Sequence, residues 1–222
     1  MFKLIGRAAW AAGAMYAAPV VLKRTFAPPQ QETSQTPADF GLAGERIWLE
    51  SVNETSLHAW FIPAAEAPRP AIVVLHGWGA NGSLLLPIAP YLHRSGYHAL
   101  FVDARNHGLS EHDKFASLPR FAEDLEVGIA WLRERGDVTT VAVVGHSVGA
   151  GAAILAASRD PEIAALVSIS AFAHPREMMT NQLRLTRLPG LVSSAMLWPI
   201  EQIIGHRFDE IAPQHCIQQV EC

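Results

Sequence analysis

Residues Gly145-His146-Ser147-Val148-Gly149 place the tightest constraint on how this chain can fold. They follow Val141-Ala142-Val143-Val144, an apolar run that reads as a buried parallel strand, and precede 150–157, an alanine-rich stretch that reads as a helix. A Gly-x-Ser-x-Gly between strand and helix forces a turn so tight that the serine is held in strained backbone geometry, with its hydroxyl presented at the top of the sheet. Glycine two residues to either side supplies the room, because a Cβ there would hold strand and helix apart.

The stretches before and after the turn fit a sheet of that kind. Residues 46–51 and 57–62, separated by the polar Val52-Asn53-Glu54-Thr55-Ser56, read as a hairpin. Ala71-Ile72-Val73-Val74-Leu75 is continuously apolar, as strands buried on both faces of a parallel sheet are. Further along, 83–93 reads as a helix, 97–102 as a strand, 121–135 as an amphipathic helix with Leu125, Ile129 and Leu132 on one face, and 165–170 as a strand. Strands alternating with helices imply an α/β fold with a doubly wound, mostly parallel sheet and right-handed crossovers. In such sheets ligands bind beyond the C-terminal strand ends, where His76-Gly77-Trp78-Gly79, 103–110 and Ser147 all fall.

Composition narrows the function classes. Half of the residues are hydrophobic and the formal net charge is -4, so there is material for a large core but no basic field to gather phosphates. Nucleic-acid binding is not expected. The two cysteines, Cys216 and Cys222, lack the Cys and His partners of a zinc site. No metal or organic cofactor is implied.

The N-terminus is a separate matter. Residues 4–22 are apolar apart from Arg7, with Lys3 before them and Lys23-Arg24 after. Three readings stand: a single N-terminal membrane anchor over 1–24, a signal segment cleaved on export, or an apolar helix packed on the domain. The anchor, with membrane association through the N-terminus, is the expectation. A linker over 25–40, rich in Pro, Gln, Thr and Ser, then leads to a domain over 41–222.

Three motifs, in order and spacing, resemble those of the α/β-hydrolase superfamily: His76-Gly77-Trp78-Gly79 after the third strand, Asp103-x-Arg105-x-x-Gly108-x-Ser110 after the fourth, and Gly145 through Gly149 after the fifth. The resemblance runs over about 47–222. It implies a serine hydrolase acting through an acyl-enzyme on a small-molecule acyl substrate, most commonly an ester, thioester or amide. Ser147 is then the nucleophile, and the backbone N–H groups of Trp78 and Val148 form the oxyanion hole. A peptidase or acyltransferase on the same fold is the alternative within enzymes. His146 and His76 read as structural rather than as bases, Asp103 and Arg105 as holders of turns, and Trp78 as either a pocket wall or a cap on the core.

The resemblance leaves the triad unfinished. In that family the acid and the histidine follow the serine on two later strands. Here about 172–205 reads as a helical cap insertion, and Phe208-Asp209-Glu210-Ile211-Ala212-Pro213 resembles the lead-in to the acid-bearing strand. The fold is therefore expected to be C-terminally incomplete, with the triad acid and His absent, which also admits an inactive fragment or a pseudoenzyme that only binds. The alternative is substitution by residues present here: Asp209 or Glu210 with His215, or Asp160 with His174.

Overall fold

In the computed structural model the described residues are 28, 31, 32, 34–185 and 190–222. Among them six strands form one sheet in the order β1-β2-β4-β3-β5-β6. Strands β1 (Glu45–Ser51) and β2 (Thr55–Ile62) are the expected hairpin, and β2 also runs antiparallel to β4 (His98–Val102). The pairings of β3 (Arg69–Leu75) with β4, β3 with β5 (Val138–His146), and β5 with β6 (Leu166–Ile169) are all parallel. The sheet is mostly parallel and open at β1 and β6.

Both faces of the sheet are covered because successive side chains point to opposite sides. Val73, Leu75, Leu100, Val102 and Val143 face one cluster, built with α2 (Leu118–Arg133) and α3 (Val148–Ala157). Ile72, Val74, Phe101 and Val144 face a second, built with α1 (Ala89–Arg94) and the 3-10 turn before it.

Two helices differ from the expectation for local reasons. The segment read as one helix over 83–93 is a 3-10 stretch, Gly82–Ile88, followed by α1; Pro87 lies inside the first part, where it removes an N–H and crowds the preceding turn. Helix α2 begins at Leu118, earlier than the apolar spacing indicated. Its start is set by Ser117, whose Oγ accepts from the Arg120 N–H (3.4 Å), and by Pro119 in the first turn.

Part of the stretch read as linker is built into the domain. Residues Pro37–Phe40 form a 3-10 turn with Pro37 buried, Phe40 packs on the second cluster, and the buried Asn81 donates to Gln31 O (3.1 Å) and Glu32 O (3.4 Å). The expected membrane location is not supported. Among the described residues no helix is long and apolar enough to cross a membrane, and the longest that the structure describes, α2, has 16 residues where a span takes about 20. Residues 4–22, on which the anchor was placed, lie outside the described residues.

After β6, helices α4 (Pro175–Leu185) and α5 (Gly190–Ile204) form the expected cap. Leu197, Ile200 and Phe208 form a third cluster there, joined by Met179, Ile203 and Ile204. The short helix α6 (Pro213–Cys216) follows; Cys216 is buried, Cys222 exposed, and both are free thiols.

Candidate active site

Ser147 stands between β5 and α3 at φ 54°, ψ −115°, a backbone region that L-residues rarely occupy. Holding a serine there costs about 1 to 3 kcal/mol, which the surrounding packing must offset. All ten residues of α3 are buried, and the Ser147 N–H donates to Ile169 O of β6 (2.8 Å), so the turn is fixed from both sides. A Cβ on Gly145 would run into the Gly149 carbonyl, and one on Gly149 into the carbonyls of His76 and Leu75. The two glycines are therefore there for room.

These neighbours are backbone atoms and cannot rotate away. Gly149→Ala is expected to cost about 2 to 3 kcal/mol, while Gly136→Ala, where a Cβ meets nothing within 4 Å, stays within about 0.5 kcal/mol of the parent. Urea denaturation of the two variants checks the contrast.

Trp78 faces Ser147 from the loop after β3. The Ala80 N–H donates to Gly77 O (3.1 Å) and Gly79 has φ 72°, which makes 77–80 a turn of the kind that needs glycine at its third position. That bond leaves the Trp78 N–H unused by the turn itself. A Cβ on Gly77 would lie 3.0 Å from Ser147 Cβ, so the loop passes directly over the elbow. The Val148 N–H, on the first residue of α3, has no intrahelical partner, and the helix dipole favours negative charge beside it.

The histidines and charged residues of the motifs hold this loop in place. His76 is fully buried; the Ala104 N–H donates to its Nε2 (3.0 Å), so Nδ1 carries the proton and donates to Gly77 O (2.7 Å). Burial lowers its pKa, against the opposing charge of Asp103. Asp103 accepts from Gly82 N–H (2.6 Å), Leu109 N–H (3.0 Å) and His58 Nδ1 (2.9 Å). Burial alone would raise its pKa, but His58, His76 and the two amides outweigh that and hold it below the usual carboxylate value. Arg105 is buried against Asp124, with its NH2 group 2.6 Å from Oδ1. These residues hold turns, as their reading from sequence has it.

His107 packs against His76, Trp78 and Phe121, and its Nδ1 donates to Arg105 O (2.8 Å). Burial, helped by the neighbouring His76, pushes its pKa down to about 4. The unfolded chain thus takes up a proton near pH 6.5 that the folded chain refuses until about pH 4. Stability from this group is complete above pH 6.5 and is lost as pH falls through that window. Denaturation at pH 7.5, 5.5 and 4.5 should show that slope, and His107→Gln should flatten it.

Ser147 opens onto a cavity of about 270 Å3 between the sheet end and the cap. Trp78 and Val148 line it from the core, Phe115 and Phe172 from the loops, and Met179 and Ile203 from the cap. Trp78 also stacks on Phe121 at 6.1 Å, so it serves both as pocket wall and as cap on the core. No histidine and no carboxylate lines the cavity among the described residues.

The substitute pairs weighed from sequence do not form as expected. Asp160 binds Arg133 (2.6 Å), and His215 Nδ1 donates to the backbone carbonyl of Asp209 (2.9 Å) rather than to a carboxylate. His174 instead pairs with Asp209: Arg176 N–H donates to Nδ1 (3.1 Å), leaving Nε2 to donate to Oδ1 (2.9 Å). Both ring nitrogens are committed, so His174 has none left to take a proton from Ser147. His146 is exposed and does not line the cavity. Among the described residues no group of His, Cys, Asp or Glu side chains is arranged to hold a metal ion.

Known proteins resemble this chain in sequence or in fold. The sn-1-specific diacylglycerol lipase ABHD11 of Mus musculus is 38% identical over 99 residues, covering 44% of this chain and 31% of that protein. Its counterpart in Xenopus tropicalis is 34% identical over 98 residues, covering 44% and 30%. The matched part thus spans about a third of the length of these relatives. The Pyrococcus furiosus esterase Pf2001 superposes with a TM-score of 0.64 at 24% identity over 78% of this chain and 67% of that one, a likeness of fold. The family model described as alpha/beta hydrolase fold matches residues 70–202, from β3 through most of the cap. With that match over more than half its length, and the sheet and elbow that accompany it, the chain belongs to the alpha/beta-hydrolase fold family.

Proposed function

We propose that the chain is a serine hydrolase that cleaves a carboxylic ester or related acyl bond through an acyl-enzyme on Ser147, in a cavity made for a small-molecule acyl substrate. The observation that carries this reading is the strained placement of Ser147 at the mouth of an apolar cavity, at the start of a buried helix. Relatives named as lipases support it.

In the reaction a base removes the Ser147 proton and Oγ attacks the acyl carbonyl. The developing oxyanion is met by the Trp78 and Val148 N–H groups, a donor of this kind being worth about 3 to 4 kcal/mol in the transition state. Collapse expels the alcohol and leaves the acyl group on Oγ, and water then releases it as the acid. None of the ten histidines lines the cavity, so this proposal assigns neither the base nor its orienting acid to a residue of the chain. The same observation supports a second reading for these residues taken alone, binding without turnover.

A trifluoromethyl ketone tests the nucleophile without needing the full triad, since it adds reversibly to a serine next to an oxyanion hole. The expected result is a hemiketal fluorine signal with the parent chain and none with Ser147→Ala. An equal signal from both would sink the assignment.

A further inference from the structure

The walls of the cavity say what kind of acyl chain fits it. Among the described lining residues none carries a charged side chain, and the hydroxyls there are those of Ser147 and Ser117, the latter already serving as the cap of α2. A carboxylate or ammonium on the bound chain would lose its water without gaining a partner. The occupant is therefore uncharged hydrocarbon.

Volume bounds its length. A methylene in liquid hydrocarbon fills about the same space as a water molecule in water, roughly 30 Å3, so a cavity of about 270 Å3 holds about nine chain carbons. A palmitoyl chain needs nearly twice that space. The cap wall is formed by Met178 and Met179 of α4 with Ile200, Ile203 and Ile204 of α5, and Met179 also packs into the third cluster. A methionine there is an unbranched filler whose replacement changes the depth of the cavity without touching the elbow.

We infer that this is a medium-chain acyl site, taking unbranched, uncharged chains of about six to ten carbons, with Met179 setting its depth. The inference rests on Ser147 being the acyl acceptor, and the test separates the two.

Straight-chain methyl ketones from butanone to tetradecanone bind such a cavity without chemistry, and their affinity for the full chain can be read by calorimetry. Affinity is expected to rise about fourfold per methylene as far as nonanone or decanone and then to stop rising. Met179→Ala should move that break to longer chains by about two carbons, and Met179→Trp to shorter ones. If the Trp variant fails to fold, the Ala variant decides alone. A rise that continues unbroken to tetradecanone, or a break that Met179→Ala does not move, overturns the inference and leaves the role of Ser147 untouched. An intact break together with an equal trifluoromethyl ketone adduct from the parent and from Ser147→Ala overturns the proposed function instead, and with it the acyl identity of the chain.

Discussion

Ester hydrolysis by the 222-residue chain is expected to rise about 100-fold when imidazole is added, and Ser147→Ala is expected to remove that rise completely. The reasoning starts from the serine hydroxyl, which is a weak nucleophile until a base takes its proton. Every histidine is among the described residues, and none lines the cavity into which Ser147 opens. A triad enzyme stripped of its histidine slows by about a million-fold, roughly 8 kcal/mol. What remains comes from binding and the oxyanion donors, worth about a thousandfold to ten-thousandfold over water. Ser147→Ala keeps those terms, so without imidazole the parent and the variant should hydrolyse a p-nitrophenyl ester at nearly the same rate.

Imidazole can enter where a histidine side chain would stand and restore the missing proton transfer, but only for a chain that has a hydroxyl to activate. The parent should therefore respond and the variant should not. An equal response from both would mean that imidazole attacks the ester itself and that Ser147 is a bystander. Fast Ser147-dependent hydrolysis without imidazole would place the base within these residues and leave the nucleophile assignment standing.

The front of this site is legible in the sequence because its parts are local. Strands β3, β4 and β5 are short apolar runs, each ending in a motif whose glycines and polar residues serve a turn only a few residues long. The elbow could be read from five residues, since the carbonyls that forbid a Cβ at 145 and 149 belong to the turn itself and to the neighbouring strand end. His76 fixing the loop follows from its position next to Gly77.

The cavity was not legible, and the reason is physical. Its lining joins Phe115, Phe172, Met179 and Ile203 from separate elements, and no periodicity in one element reports on how it packs against another. The pairing of His174 with Asp209, 35 residues apart, is likewise set by where the cap returns to the core. Proximity in sequence suggested His215 as the partner of Asp209, and tertiary packing gave His215 the backbone carbonyl instead. Pro87 breaks the stretch 83–93 although the apolar pattern around it continues.

Removing the carboxylate at position 124 is expected to be the most damaging change away from the elbow. Asp124 and Arg105 are both fully buried. One carboxylate oxygen accepts from Ser51 Oγ (3.0 Å) and the Arg105 NH2 group (2.6 Å), and the other from the Arg105 backbone N–H (2.8 Å). Burial opposes the charge on Arg105, but the hydrogen bonds and the charge of Asp124 outweigh it and hold the guanidinium's pKa above its ordinary value. Asp124→Ala leaves that cation in the interior with only the carboxylates of Asp113 and Glu123, each 3.1 Å away, and Ser51 Oγ (3.2 Å), and takes the acceptor from the buried Arg105 amide. Losing one partner of such a pair costs about 3 to 5 kcal/mol, or roughly 10 °C in melting temperature for a domain of this size.

The damage should reach the site as well. The next amide, that of Ala104, is the donor to His76 Nε2, and His76 in turn holds the Gly77 carbonyl beside Trp78. Asp124→Ala should therefore weaken the trifluoromethyl ketone adduct even at temperatures where the variant is folded, whereas Asp160→Ala, which frees an exposed Arg133, should not. Calorimetry and the fluorine signal read the two effects separately. A loss of less than about 3 °C would mean that Asp113 and Glu123 suffice to hold Arg105. An unchanged adduct in a folded Asp124→Ala variant would mean that the loop over Ser147 is held by His76 alone.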